Sequence, residues 1–120
     1  AAAEAVLTLR AAHSDVRLVA VVPFRGQEER FSPADRVRFL RAVAAADEVE
    51  VLAGGYRRGC YAVRNDFLVD RAALVVAWYD GSPGGTRYTL RRALARGREV
   101  WNLHPSGGGL AIRPVQPALF

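Results

Sequence analysis

The sequence predicts an α/β fold, a Rossmann-like three-layer sandwich with a mainly parallel sheet, four strands of which lie in this chain. Two observations predict it. Short apolar runs rich in valine and leucine recur along the chain, and such runs are typical of parallel strands buried on both faces. Segments with helical periodicity separate these runs, and they supply the crossovers that parallel pairing requires.

The four predicted strands are short, and the first is the most apolar. It belongs to the run VRLVAVVPF, which is almost continuous in aliphatic residues. Because strands and helices alternate along the chain, we expect one parallel sheet flanked by helices. The predicted strands cover residues 16–22, 49–53, 74–79 and 99–103.

Four helices are predicted around these strands, and the second has the clearest start. Ser32 is a preferred N-cap residue, and Pro33 is favoured at the first helical position. The helices are predicted at residues 2–12, from 33 to Asp47, at 61–72 and at 86–96. The apolar spacing predicts a buried stripe on the second helix, formed by Val37, Leu40, Val43 and Ala44. On the third helix it places Val63 and Phe67 one turn apart.

One domain is predicted over residues 1–104, followed by an irregular tail over residues 105–120 in which the glycines form a hinge. The chain begins on a helix, whereas Rossmann-like domains usually begin with a central strand. Because a crossover helix needs a strand before it, we expect the domain to be incomplete at its N-terminus.

Composition excludes several classes of protein. The 120 residues are 51% hydrophobic and 24% charged, which is typical of one globular domain rather than of a disordered chain. No run approaches the roughly 18 consecutive apolar residues of a membrane span, so no membrane partner is expected. A single cysteine, Cys60, excludes an internal disulfide and predicts a cytoplasmic location.

The net charge of +5 favours anionic partners such as nucleotides or nucleic acid. All 17 basic side chains are arginines scattered along the chain, so nucleic acid is the less favoured partner but is not excluded. The loop GGYRRGC places Arg57 and Arg58 between Tyr56 and Tyr61, a pattern found in single-strand binders, although a solvated loop is the alternative. The histidines match no metal spacing, no metal site is predicted, and no cofactor is assigned.

A glycine turn leads from the third predicted strand into the last predicted helix. Such a turn leaves backbone N–H groups free at a helix N-terminus, where they can bind a phosphate. Gly84 and Gly85 would allow close approach of the anion, and the Thr86 hydroxyl could donate to it. The alternative is a plain turn in which Thr86 is the N-cap residue.

Four stretches follow one another with a familiar spacing: VVPFRGQ (21–27), the Tyr-Arg-rich loop, RNDFLVDRA (64–72) and YDGSPGGT (79–86). In this succession the chain resembles the YpsA-like proteins of the SLOG superfamily, which is named for the Smf/DprA and LOG proteins. The resemblance covers about residues 1–104. It implies a Rossmann-like domain that binds a nucleotide or nucleotide-derived ligand at the carboxyl edge of its sheet, as a sensor or regulatory module.

The chain departs from the family pattern in two ways. The family's first strands have no counterpart before Ala1, so we expect either that this segment has been removed or left out, or that a second copy in a homodimer or another chain supplies it. LOG enzymes, which hydrolyse nucleoside monophosphates, have a glutamate after their Pro-Gly-Gly-x-Gly-Thr motif, and no glutamate follows Pro83–Thr86 here. A LOG-type phosphoribohydrolase and a DprA-like DNA-handling module are the alternative functions, and no catalytic residue is assigned.

The resemblance and the position at strand ends suggest further ligand contacts. Asp80 could accept a ribose hydroxyl or cap its own loop. Arg64 could pair with a phosphate, and Asn65 could contact a base or order the loop. Candidates after the first strand are Pro23, Phe24, which could stack on a base or pack against the wall, and Gln27.

Overall fold

The structure is a computed structural model that describes residues 2–106 and 113–114. The chain divides into two compact units, Ala1–Cys60 and Tyr61–Phe120. None of the helices in the described part of the chain is both long enough and apolar enough to cross a membrane.

The first unit contains two helices and a two-stranded parallel sheet. Helix α1 and strand β1 are followed by a short 3-10 turn, and helix α2 then connects β1 to β2. The register places Val19 opposite Glu48 and Val22 opposite Val51. The elements are α1 Ala2–Ala12, β1 Val19–Val22, the 3-10 turn Gln27–Arg30, α2 Pro33–Ala45 and β2 Glu48–Val51.

The second unit contains a three-stranded parallel sheet in the order β3-β4-β5. Helix α3 begins at the last residue of the first unit, and helix α4 connects β3 to β4. The register places Leu74 opposite Glu99 and Ala77 opposite Asn102. The elements are α3 Cys60–Arg71, β3 Leu74–Ala77, α4 Gly85–Ala95, β4 Glu99–Asn102 and β5 Arg113–Pro114.

The predicted α/β class and the parallel pairing are confirmed, with two differences. The described strands form two hydrogen-bonded sheets, and the predicted pairing of all four strands in one sheet stays a prediction. The tail was expected to be irregular, but Arg113–Pro114 pairs with β4 as a fifth strand. Proline is tolerated there because β5 lies at the edge of the described sheet. Residues 107–112 and 115–120 of the predicted tail lie outside the described residues.

Side chains shorten two of the predicted strands. β1 begins at Val19 because the backbone N–H of Leu18 donates to the Asp47 carboxylate, at 2.8 Å. β3 ends at Ala77 because the backbone of Tyr79 bonds to the side chain of Asn102. Helix α2 begins as predicted, since the Ser32 hydroxyl accepts the backbone N–H of Asp35 at 3.2 Å.

The predicted burial of the apolar stripe of α2 is wrong. No residue of α2 is buried, and Val37 and Leu40 of its apolar stripe are exposed, because no described segment covers that face. Val63 of α3 is 58% exposed. The core of the second unit is instead built from Val69, Tyr79, Leu90, Ala93 and Val100.

Asp47 ties three elements of the first unit together. Its Oδ2 accepts the Leu18 N–H and a hydrogen bond from the Arg10 guanidinium at 2.9 Å, and the same Arg10 nitrogen also donates to the Ala45 carbonyl. The hydrogen bond from the Leu18 backbone, with a smaller contribution from Arg10, lowers the pKa of Asp47 below its usual value. Asp47 therefore stabilises the fold as the carboxylate.

We expect Asp47→Asn to lower the stability of the chain at neutral pH and to lose this effect in acid. Because the folded pKa is depressed, the stabilisation is present above the unfolded pKa, about 3.9 for an aspartate, and is lost as the pH falls through the folded value. Urea unfolding of the parent chain and of Asp47→Asn, from neutral pH to acid pH, measures the difference in their free energies of unfolding. Asp15→Asn, at an exposed turn position, is the control, and an equal loss of stability at every pH would contradict the linkage.

Candidate functional site

A cavity of about 470 Å³ lies within the second unit, between α3, β3 and α4. The first turns of α3 and α4 supply its polar groups, and β3 supplies an apolar wall. The lining residues are Tyr61, Arg64 and Asn65 of α3, Val75, Val76 and Ala77 of β3, and Gly85, Thr86, Thr89 and Leu90 of α4. Four of the residues predicted from the sequence, Arg64, Asn65, Gly85 and Thr86, thus line one cavity.

The N-terminus of α4 opens onto this cavity without a side-chain cap. Its N-cap residue is Gly84, which has a φ of 138° and a ψ of −163°, a conformation available essentially to glycine alone. No side chain accepts a hydrogen bond from the first turn at this cap. The first backbone N–H groups of α4 are therefore available to an anion, and the helix dipole favours negative charge there.

Gly85 differs from Gly84 in what the fold requires of it. Its φ is not positive, and a Cβ added to Gly85 would meet no atom within 4 Å. The described fold therefore gives no steric reason for glycine at position 85, whereas close approach of a ligand would give one.

Arg64 contributes a positive charge to the cavity. Its Nε donates to the Asn65 Oδ1 at 2.8 Å, and its guanidinium lies 6.0 Å from the centroid of the Tyr61 ring. No acidic side chain within the described residues forms an ion pair with Arg64, and none of the lining residues is an acid. Asn65 therefore orients a guanidinium whose charge is not neutralised, which suits an anionic ligand.

The loop before α4 is shaped by Asp80. Its Oδ1 accepts both the backbone N–H of Ser82, at 2.9 Å, and the Ser82 hydroxyl, at 2.6 Å. The hydrogen bond from the Ser82 hydroxyl, followed by the bond from the Ser82 backbone N–H, holds the pKa of Asp80 below its usual value. The carboxylate thus caps its own loop, as in one of the two interpretations of the sequence, and Asp80 and Gly84 are not among the lining residues.

The three remaining predicted residues lie in the first unit, after β1. Pro23 is buried, Phe24 is half-buried and contacts the Tyr56 ring edge-to-face, and Gln27 begins the 3-10 turn. Their contact with the same ligand stays a prediction. Cys60 is buried and is not bonded to another cysteine. No group of three or more potential ligands within residues 2–106 and 113–114 could hold a metal ion.

Sequence reasoning did not connect Tyr61 and Thr89 with the cavity. Tyr61 precedes Arg64 by three residues and Thr89 follows Thr86 by three, so helical periodicity could have placed each on the face of its neighbour. Asn102 was missed as well. Its side chain accepts the N–H of Tyr79 at 2.9 Å and donates to the Tyr79 carbonyl at 3.0 Å, and so holds the chain that follows β3.

Comparisons with known proteins place the sequence in a family. The model of the YspA SLOG family matches residues 1–102. The chain is 29% identical over 111 residues to the uncharacterized SPbeta prophage-derived protein YoqJ of Bacillus subtilis (strain 168), which covers 81% of this chain and 65% of that protein. It is 31% identical over 98 residues to a UPF0398 protein of Halalkalibacterium halodurans, which covers 79% of this chain and 52% of the relative.

A third relative, a UPF0398 protein of Bacillus cereus (strain B4264), is 26% identical over 106 residues, 86% of this chain and 57% of the relative. The chain thus spans between 52% and 65% of the length of these three bacterial relatives. The family match extends over both sequence motifs that line the cavity, the start of α3 and the start of α4. The resemblance to YpsA-like proteins is confirmed, and the chain belongs to the YspA SLOG family.

Proposed function

We propose that the cavity of the second unit binds the phosphate of a nucleotide or nucleotide-derived ligand, and that the chain is part of a cytoplasmic sensor or regulatory protein. The observation that carries the proposal is the combination of two groups at one cavity. The uncapped N-terminus of α4 and the unneutralised Arg64 guanidinium both favour an anion.

Each lining group has a role in this proposal. The backbone N–H groups that follow Gly84 donate to the phosphate oxygens, and the Thr86 hydroxyl adds a further donor. Arg64, held by Asn65, supplies the positive charge. The apolar wall of Val75, Val76 and Ala77 suits the less polar part of the ligand.

Binding is favoured over hydrolysis because the lining residues include no carboxylate. Cleavage of a glycosidic or phosphoribosyl bond commonly uses an acidic side chain as acid, base or nucleophile. The nearby Asp80 is already bonded to Ser82 through Oδ1. The lining residues thus supply the groups that ligand binding needs. They do not include the carboxylate that the LOG-type alternative would need.

We expect Gly85→Val to abolish phosphate-dependent binding while leaving the fold intact, because the added side chain has open space in the protein but would occupy the path of the anion. Thr86→Ala removes one donor to a charged group, worth roughly 1.5–3 kcal/mol, or about a 10- to 150-fold loss of affinity. Calorimetric titration with a panel of nucleotides and ADP-ribose-like ligands measures both effects.

The matched control is Ser14→Val, which adds a β-branched side chain at an exposed turn position of the first unit. The titration is made on this chain and on a longer family member carrying the same substitutions. Unchanged nucleotide affinity after Gly85→Val would show that the glycine turn connects β3 to α4 without binding phosphate.

A further inference from the structure

A row of polar contacts joins α3 to α4 within the second unit. Asp66 and Asp70 lie four residues apart on α3, so both are on the same side of that helix. Tyr88, Arg92 and Arg96 are spaced four residues apart along α4 and its C-cap, and they form the matching row. These five residues are called the α3–α4 clamp below.

The contacts of the clamp are close, and each crosses from one helix to the other. The Tyr88 hydroxyl donates to the Asp66 carboxylate, at 3.1 Å from Oδ1 and 3.2 Å from Oδ2. Arg92 forms ion pairs with both acids, with Nε 3.0 Å from Asp66 Oδ1 and Nη2 3.3 Å from Asp70 Oδ2. Arg96 Nε pairs with Asp70 Oδ1 at the longer distance of 3.5 Å.

The first contact of the clamp lies two residues from the cavity on each helix. Asp66 follows the lining residue Arg64 by two positions, and Tyr88 follows the lining residue Thr86 by two. Tyr88 also closes the first turn of α4, because its backbone N–H donates to the Gly84 carbonyl at 3.1 Å. Tyr88 therefore ties the turn that carries the backbone donors to the helix that carries Arg64. Neither Asp66 nor Tyr88 is among the residues that line the cavity.

An anion that is bound by groups on two helices requires a fixed distance between those helices. If α3 and α4 can separate, only the closed fraction of the molecules binds, and the apparent dissociation constant rises by the reciprocal of that fraction. The hydrogen bond to Asp66 is the main cause that raises the pKa of Tyr88 above its usual value. The Tyr88 hydroxyl therefore keeps its proton at neutral pH and remains the donor that joins the helices.

We propose that Asp66 and Tyr88 are positioning residues, which hold Arg64 at the distance from the N-terminus of α4 at which both bind one phosphate. This role rests on the proposed function of the cavity, and the clamp serves that function without touching the ligand. Arg92 supports Asp66 from the next turn of α4. Arg96 pairs at the other end of α4, where it stabilises the packing of the helices but does not set the width of the cavity.

Tyr88→Phe tests the proposal on the whole chain, because it removes the hydroxyl and keeps the ring. Calorimetric titration with AMP as the probe should show an affinity about 2- to 12-fold weaker, the range for the loss of one hydrogen bond of ordinary strength. Arg96→Gln is the matched control. It also removes one contact between α4 and an acid of α3, but far from the cavity, and should leave the affinity for AMP unchanged.

Two further measurements separate positioning from overall stability. Without ligand, amide hydrogen exchange at residues 88–90 should be faster in Tyr88→Phe than in the parent chain, whereas exchange in β4 should be unchanged. In an Asp66→Ala background, Tyr88→Phe should have no further effect on the affinity for AMP, because the acceptor of its hydroxyl is already absent.

Unchanged affinity for AMP in Tyr88→Phe, with circular dichroism confirming a folded variant, would overturn the positioning role. If Gly85→Val still abolished binding of AMP in that case, the proposed function of the cavity would stand. An equal loss of affinity in Arg96→Gln would also overturn the role, because it would reduce the clamp to general packing of the helices, as would additive effects of Tyr88→Phe and Asp66→Ala. A parent chain that does not bind AMP would contradict the proposed function itself, and the positioning role with it.

Discussion

Asn102→Leu is expected to lower the free energy of unfolding by roughly 2–5 kcal/mol, because it leaves the buried N–H and C=O of Tyr79 without partners at about 1–3 kcal/mol each. The Asn102 Oδ1 also accepts the N–H of His104 at 3.2 Å, and this bond is lost as well. Small domains are stable by only about 5–15 kcal/mol, so the variant loses a large part of its stability.

Urea denaturation monitored by circular dichroism measures this change. Thr8→Val is the control, since it removes one exposed side-chain hydrogen bond, from Thr8 Oγ1 to the Glu4 carbonyl, and should have little effect. Asn102→Asp separates shape from hydrogen bonding, because it keeps the size and the acceptor but loses the donor to Tyr79. If Asn102→Leu unfolds at the same urea concentration as the parent chain, the side chain does not hold the end of β3.

Self-association of the isolated 120-residue chain is the second large effect that we expect. Trp78, which follows β3, is 67% exposed, and Val37 and Leu40 of α2 are 46% and 45% exposed. Large exposed apolar patches commonly mark protein–protein interaction sites. We therefore propose that a second copy or another chain covers them.

Sedimentation velocity over a range of concentrations tests this proposal. Trp78→Arg and Leu40→Arg should each weaken association about tenfold or more, because burial of one large apolar side chain is worth roughly 1.5–3 kcal/mol. Ser14→Arg, at an exposed turn position, adds the same charge without removing an apolar group and is the control. A chain that stays monomeric at every concentration and unfolds cooperatively would contradict the proposal.

Local sequence signals predicted the elements well, because their causes are local. Ser32 and Pro33 mark the start of α2, and the structure begins the helix there with the expected cap. The glycine turn supplied part of the cavity for the same reason, since a helix N-terminus can be located from neighbouring residues, whereas Arg64 and Asn65 followed from the family resemblance. The parallel fold, rather than either motif alone, brings the start of α3 beside the start of α4.

Features that depend on distant neighbours could not be predicted in this way. The buried Asn102 bonds to a residue 23 positions away, and nothing in the run EVWNL marks that partner. The apolar spacing of α2 correctly indicates a face that avoids water, but it does not specify what covers the face, and in the described structure Val37 and Leu40 are exposed. Apolar periodicity thus identifies which face of a helix avoids water, but it does not identify the element that packs against that face.

The parallel pairing of both sheets has a consequence for how the chain folds during synthesis. No hairpin joins neighbouring strands of the described sheets. Residue 19 pairs with residue 48 and residue 74 pairs with residue 99, and a helix lies between the paired residues in each case. Closing such loops costs chain entropy before any pairing compensates for it, which makes folding slow. On the ribosome, β1, α2 and β2 emerge together before β3, so the first βαβ segment can nucleate alone while the remainder is still being translated.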